Sequence, residues 1–158
     1  MPEDSRPILI CFDDSAPSRQ AIAETARLFP GSRVVMLHVW RSIESTAAYR
    51  YSAAGLTGAL RDAMEELESA GRDAAEAEAA KGVEAARAAG LEAEPLVVEA
   101  TDHADTTVAE QADRVDARVV VMGSRRLGAI QAMALGGFSA GALHRSTRPV
   151  LVVPSPEP

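Results

Sequence analysis

The chain has 158 residues, of which 47% are hydrophobic and 25% are charged, and its formal net charge is -7. This length and apolar share suffice for one domain around a single core, and the acidic balance argues against general nucleic-acid binding, which needs a broad basic surface. The single cysteine, Cys11, excludes a disulfide framework, so we expect a reducing, cytoplasmic setting.

The chain shows no signature of export or of membrane insertion. Its first six residues are polar and acidic, and no apolar run approaches the length that spans a bilayer. We expect one domain over 1–154, followed by a short tail at 155–158, without an internal repeat.

The first half of the predicted domain begins with a strand, a helix and a strand. Residues 7–12 (PILICF) form a nearly continuous apolar run, as in a strand that is buried on both faces. A helix follows, with Ser15 or Asp14 as its cap and Pro17 in its first turn, and 33–39 (RVVMLHV) is the second buried strand. This order predicts a right-handed parallel crossover.

A loop and a long helix are predicted next. Residues 40–58 are typical of a loop that can include a short helical piece; its main interpretation is packing against the domain, and the alternative is a lid. Residues 59–89 are rich in alanine, glutamate and arginine, which predicts a helix whose alanine-rich second half approaches the sheet or a partner closely. Its predicted inner stripe is Leu60, Met64 and Leu67, and its predicted interruptions are Gly71 and Gly82.

The remainder of the chain continues the alternation of strands and helices. Strands are predicted at 95–100, 118–122 and 148–153, and helices at 106–115 and 139–146. Five parallel strands that alternate with helices predict an α/β fold, an open doubly wound sheet with helices on both faces. Ligands of such sheets bind beyond the carboxyl ends of the strands, where the strand order reverses.

The loop after the fourth predicted strand has features of an anion site. Its glycines allow backbone N–H groups to approach an anion, and the following helix directs its positive dipole end into the same space. No acidic residue lies between 117 and 156, which predicts a local cationic field. The glycines are Gly123, Gly128, Gly136 and Gly137, and the arginines are Arg118, Arg125, Arg126, Arg145 and Arg148. The alternative is that these glycines only turn the chain and these arginines are only solvated.

The order G-S-R-R, nine residues, G-G, a short helix and PVLVVP resembles the universal stress protein family. Nucleotide-binding members of that family carry Gly-x-x-Gly, nine residues and Gly-Ser/Thr. Gly123 and Gly136 match this pattern, whereas Arg126 stands at the second glycine and Gly137 at the hydroxyl residue. The resemblance implies an adenine-nucleotide alpha-hydrolase-like sheet of strand order 3-2-1-4-5, which brings Asp13 opposite Gly123, and a degenerate nucleotide motif.

The resemblance also implies roles for residues of the first two strands. The family's Asp-x-Ser turn matches Asp13 and Ser15, and its aspartate contacts the nucleotide; alternatively, Asp13 only caps the next helix. Val39 matches an apolar position that lines the adenine pocket, although it is equally explained as core. The full set of candidate nucleotide-binding residues is Asp13, Ser15, Val39, Met122, Gly123, Arg125, Arg126, Gly128, Gly136, Gly137 and Phe138.

Enzymatic chemistry has less support in the sequence. The segment 137–141 formally matches the nucleophile elbow G-x-S-x-G, but no acid lies between Ser139 and His144, so the order of a catalytic triad fails. The only lysine, Lys81, lies in a helix-forming segment, which argues against a Walker P-loop. We assign no catalytic residue and no metal site, and we expect at most slow ATP hydrolysis by metal-assisted attack of water.

The resemblance therefore implies a cytoplasmic regulatory or stress-response module that binds ATP, or a related adenine nucleotide, with Mg. It further implies a homodimer through the apolar edge strand at Pro149 to Val153, since open edges invite pairing. The alternative function is a protein-interaction module of the same fold with an empty nucleotide site. Arg126 distinguishes the two, because it either contacts phosphate or fills the pocket.

Overall fold

The computed structural model describes residues 5–43, 55, 58–100, 103–124 and 137–154. The strands are Ile8–Cys11 (β1), Arg33–Trp40 (β2), Glu92–Glu99 (β3), Val119–Ser124 (β4) and Val150–Pro154 (β5). The helices are Ala16–Leu28 (α1), Gly58–Ala88 (α2), Ala104–Arg114 (α3) and Gly137–Arg145 (α4).

The five strands form one parallel sheet in the order β3-β2-β1-β4-β5, which confirms the predicted order. In the centre, Ile10 of β1 lies between Met36 of β2 and Val121 of β4. The chain proceeds from β1 to β2 on one side and from β4 to β5 on the other, so the strand order reverses between β1 and β4. The carboxyl ends of these two strands frame the crevice in which ligands of this fold class bind.

Helices cover both faces of the sheet, which explains why β1 is apolar throughout. Successive strand residues point to opposite faces. Ile10 packs with Ile22 of α1 and Val83 of α2 on one face, and Leu9 packs with Val108 of α3 on the other. Because each side chain of β1 enters one of the two cores, the strand has no polar face.

The structure corrects two predictions about α2. The helix is continuous over 31 residues, without a break at Gly71 or Gly82. The predicted inner stripe is wrong, since the side chains of Leu60 and Leu67 are 48% and 52% exposed. The buried residues come from the second half and are Ala75, Ala79, Gly82, Val83 and Ala86. Neither α2 nor another helix of the described residues has the length and apolar character needed to cross a membrane.

The first half of α2 contacts the last residue of β2 and the segment that follows this strand. Gly71 lies against the ring of Trp40, and the carboxylate of Glu68 accepts a hydrogen bond from the Ile43 N–H at 2.9 Å. The third strand also begins earlier than predicted, at Glu92, and contains Pro95. A proline is tolerated there because β3 is an edge strand.

Candidate functional site

A cavity of about 250 Å³ opens at the carboxyl ends of β1 and β4. Its volume is slightly below the range of about 300–1,000 Å³ that is usual for small-molecule sites. The walls combine apolar side chains with a few hydroxyl and carboxylate groups, which is the typical composition of such sites. The described lining residues are Cys11, Phe12, Asp13, Ser15, Pro17, Ser18, Leu37, Val39, Ala104, Met122 and Gly123.

The structure brings five of the candidate residues together around this cavity. Asp13 and Gly123 share it, as the strand order requires, and the other three are Ser15, Val39 and Met122. Four candidates lie outside the described residues, namely Arg125, Arg126, Gly128 and Gly136. Gly137 and Phe138 lie in the first turn of α4, and the side chain of Phe138 lies outside the described part of the chain.

Asp13 and Ser15 form a tight turn that connects β1 to α1. Oδ1 of Asp13 accepts hydrogen bonds from the Ser15 N–H at 3.2 Å and from the Ser15 hydroxyl at 2.5 Å. Ser15 is the N-cap of α1, and its Oγ accepts a hydrogen bond from the Ser18 N–H at 3.3 Å. Ser15 is thus the predicted cap, and Asp13 bonds to this cap residue, while the same turn leaves both side chains in the cavity wall.

Gly123 has a packing role that the sequence did not indicate. A Cβ on Gly123 would lie 2.2 Å from the carbonyl oxygen of Pro17 and 2.7 Å from the Pro17 Cβ, closer than real Cβ atoms approach. A backbone carbonyl cannot move aside as a flexible side chain can. The glycine therefore allows the start of α1 to lie directly on β4, whatever the cavity binds.

Six of the lining residues are not among the candidates that the sequence predicts. They are Cys11, Phe12, Pro17, Ser18, Leu37 and Ala104. Most have side chains without distinctive chemistry, so composition gave no reason to select them. Their common feature is position, because each lies near the carboxyl end of a strand or in the first turn of the next helix. That position is the signal that could have identified them.

The predicted cationic field is wrong for three of its five arginines. Arg118 and Arg148 precede β4 and β5, so they lie at the amino edge of the sheet, away from the cavity. Arg145 and Arg148 are paired with acids of α3 and of the turn after it. These pairs are Arg145 with Asp105 at 3.2 Å, Arg148 with Asp113 at 2.8 Å and Arg148 with Asp116 at 2.6 Å. Arg125 and Arg126 lie outside the described residues.

The thiol of Cys11 is a neutral group in the cavity wall. Burial raises its pKa from 9.0 to about 12, and the negative charge of Asp13 also acts to raise it. The thiolate is the nucleophilic form of cysteine, so this side chain is a poor nucleophile at neutral pH. In the cavity it therefore acts as a small apolar surface.

The comparisons with known proteins agree with this fold. A family model described as the universal stress protein family matches residues 5–154. A universal stress protein structure from Archaeoglobus fulgidus is 20% identical, with 93% of this chain and 92% of that chain covered and a TM-score of 0.63. A second structure from that organism, in complex with dAMP, is 19% identical, with 93% and 96% covered and a TM-score of 0.59.

An Arabidopsis thaliana family member with AMP bound is 15% identical, with 95% of this chain and 92% of that chain covered and a TM-score of 0.63. A search of curated protein sequences finds no match to the chain. Identities this low support the fold alone, whereas the family model spans nearly the whole sequence. The chain therefore belongs to the universal stress protein family.

Proposed function

We propose that this chain binds an adenine nucleotide in the cavity at the ends of β1 and β4 and acts as a cytoplasmic regulatory or stress-response module. The observation that carries the proposal is the composition of the cavity wall, where Asp13 and Ser15 lie opposite Gly123 beside apolar strand residues. Structures of family members in complex with dAMP and AMP support the same class of ligand.

Each part of the wall fits one part of a nucleotide. Leu37, Val39 and Met122 offer an apolar surface on which an adenine base can be buried. The carboxylate of Asp13 can accept hydrogen bonds from ribose hydroxyls or from the adenine amino group. We assign the phosphates to the glycine loop and the first turn of α4, whose backbone N–H groups favour anions. The residues in this assignment are Arg125, Arg126, Gly128, Gly136, Gly137 and Phe138.

Mg²⁺ fits this site only as part of a nucleotide complex. Among the residues that the structure describes, no three His, Cys, Asp or Glu side chains converge as a metal site. Mg²⁺ usually keeps several waters and binds through one or two carboxylates together with substrate phosphates. Asp13 is the carboxylate in the described cavity wall, and we assign it to the ribose or the base, so the phosphates of ATP together with waters would hold the ion.

The proposal is for a binding module rather than an efficient enzyme. Both hydroxyl groups of the described cavity wall are engaged in the cap of α1. The Ser15 hydroxyl donates to Asp13 and its Oγ accepts the Ser18 N–H, and the Ser18 hydroxyl donates to the Ser15 carbonyl oxygen. We therefore assign these groups to the turn and not to nucleophilic attack. Hydrolysis of bound ATP would accordingly be slow and would depend on water activated by the metal ion.

The change Asp13→Asn tests the proposed site by isothermal titration with AMP and with ATP and Mg²⁺. We expect the wild-type chain to bind in the micromolar range and the variant to bind roughly 10- to 150-fold more weakly, because a hydrogen bond to a charged group is worth about 1.5–3 kcal/mol. Asparagine retains an oxygen that can accept the Ser15 hydrogen bonds, so the turn is preserved.

Asp73→Asn is the matched control, since Asp73 is an exposed aspartate on α2. It should bind as the wild type does. Equal affinities of the Asp13 variant and the wild type would overturn the site assignment. An absence of heat with the wild-type chain at high nucleotide concentration would instead favour the alternative function, a protein-interaction module with an empty site.

We also propose a homodimer through the segment Pro149 to Val153. β5 is an edge of the sheet, where it pairs only with β4 within the described chain, and Val150, Leu151 and Val152 are incompletely buried. Open apolar edges invite pairing with another chain. We expect light scattering at micromolar concentration to give twice the mass of the 16.6 kDa chain, and a monomer mass would contradict the dimer.

A further inference from the structure

Asp14 separates the two polar cavity residues Asp13 and Ser15 and has an unusual backbone conformation. Its φ is 59°, in the left-handed region that residues with a side chain seldom adopt. Aspartate is one of the few side chains that tolerate this region. The turn that presents Asp13 and Ser15 therefore depends on a residue in a disfavoured conformation, and contacts that hold Asp14 also hold its neighbours.

Two cations from different helices hold the carboxylate of Asp14. Arg19 of α1 donates a hydrogen bond to Oδ1, and Nζ of Lys81 in α2 lies 3.3 Å from Oδ2. Partial burial acts to raise the pKa of Asp14, but the hydrogen bonds and charges of Arg19 and Lys81 outweigh it and lower the pKa. Hydrogen bonds to Glu78 and to Asp14 raise the pKa of Lys81. The pair is thus ionised at neutral pH.

The helix α2 also contacts the residue on the other side of Asp13. Gly82 follows Lys81, and a Cβ on Gly82 would lie only 2.8 Å from the ring of Phe12. The ring is 3% exposed, and the Phe12 carbonyl oxygen lies 2.9 Å from Nδ1 of His38. One turn of α2 therefore contacts both Phe12 and Asp14, the two residues that flank Asp13.

We propose that Lys81 is a positioning residue for the cavity, which holds Asp14, and through it the turn from Phe12 to Ser15, in the conformation that presents Asp13 to a ligand. Lys81 does not touch the ligand in this account. The inference rests on the proposed nucleotide binding only for the identity of that ligand. Its consequence is that the long helix α2, whose first half is mostly exposed, contributes through its second half to the affinity of the cavity.

The changes Lys81→Met and Lys81→Arg test this role. Methionine keeps the length of the stem and removes the charge, whereas arginine keeps a cation within reach of Asp14. We expect Lys81→Met to weaken AMP binding about two- to fivefold at low ionic strength, which is the usual effect of losing an exposed ion pair. Lys81→Arg should bind AMP as the wild type does. In about 1 M salt the difference should disappear, because screening weakens the pair in the wild type as well.

Glu78→Gln is the matched control, since it removes the other ion pair of Lys81, at 2.6 Å, and leaves the contact with Asp14. We expect this variant to bind AMP as the wild type does. If the wild type binds AMP and the methionine variant binds as tightly as the glutamine variant, the positioning role is wrong, while the proposed nucleotide binding stands.

Amide hydrogen exchange of the segment 12–18 without ligand gives a second readout that is independent of the proposed function. We expect faster exchange in Lys81→Met than in Glu78→Gln, because the turn opens more often when one of its cations is lost. If the wild type does not bind AMP, the nucleotide proposal fails, and this comparison alone decides the role of Lys81. Equal exchange in the two variants would overturn it.

Discussion

Replacement of Gly123 with alanine should lower the free energy of unfolding by about 3 kcal/mol, the upper end of the usual cost of overpacking. The added Cβ would lie 2.2 Å from the carbonyl oxygen and 2.3 Å from the carbonyl carbon of Pro17. Relief of this overlap requires the start of α1 to move away from β4. Urea denaturation followed by circular dichroism measures the change.

Gly58→Ala is the control for this substitution. Gly58 begins α2, and among the described residues no atom outside its own helix lies within 4 Å of an added Cβ, so we expect a change within about 0.5 kcal/mol. An unfolding midpoint of Gly123→Ala equal to that of the wild type would show that α1 lies farther from β4 than the structure indicates.

The packing role of Gly123 affects how binding data on this glycine are interpreted. A loss of nucleotide binding in Gly123→Ala would follow from displacement of α1, which carries Pro17 and Ser18 of the cavity wall, even if no phosphate contacted the glycine. Asp13→Asn is the cleaner test, because it alters the chemistry of one side chain in the wall and preserves its shape.

Most of the fold could be predicted because buried parallel strands have a strong local signal. The run at 7–12 is apolar throughout and that at 33–39 is mostly apolar, since both faces of β1 and β2 meet a helix layer. The long helix α2 shows where this reasoning fails. The stripe that large apolar residues such as Leu60 suggested is wrong, whereas the predicted close approach of the alanine-rich second half to the sheet is confirmed.

The candidate site was predictable only as far as strand ends determine it. Asp13 and Gly123 each lie at the carboxyl end of a strand, and the strand order brings them to one cavity. The cationic field was not predictable in the same way, because a run without acids says nothing about acids on a neighbouring helix, such as Asp113 beside Arg148. The pair of Lys81 and Asp14 joins residues 67 positions apart, a separation that no local pattern reveals.

Two glycines of α2 should respond to the same substitution with opposite signs. In a helix interior, alanine has the higher helix propensity, and its replacement of glycine raises the free energy of unfolding by about 1 kcal/mol. At Gly71 an added Cβ would lie 3.5 Å from Cζ3 of Trp40, an ordinary van der Waals contact, so Gly71→Ala should stabilise the fold by about 1 kcal/mol.

At Gly82 the same Cβ would lie 2.8 Å from Cδ1 of Phe12 and 3.1 Å from Cε of Met36, and both side chains are almost fully buried. The cost of overpacking, about 1–3 kcal/mol, should exceed the gain in helix propensity of about 1 kcal/mol, so we expect Gly82→Ala to destabilise the fold by up to about 2 kcal/mol. Urea denaturation of the two variants side by side gives the comparison.

The two positions share a helix and a substitution, so a difference in unfolding free energy between them reports what surrounds each glycine. If both variants were stabilised, the second half of α2 would not be held against Phe12, the residue that precedes Asp13. The expected opposite signs follow instead from a helix whose first half has space around its glycine and whose second half is tightly packed on the residue next to Asp13.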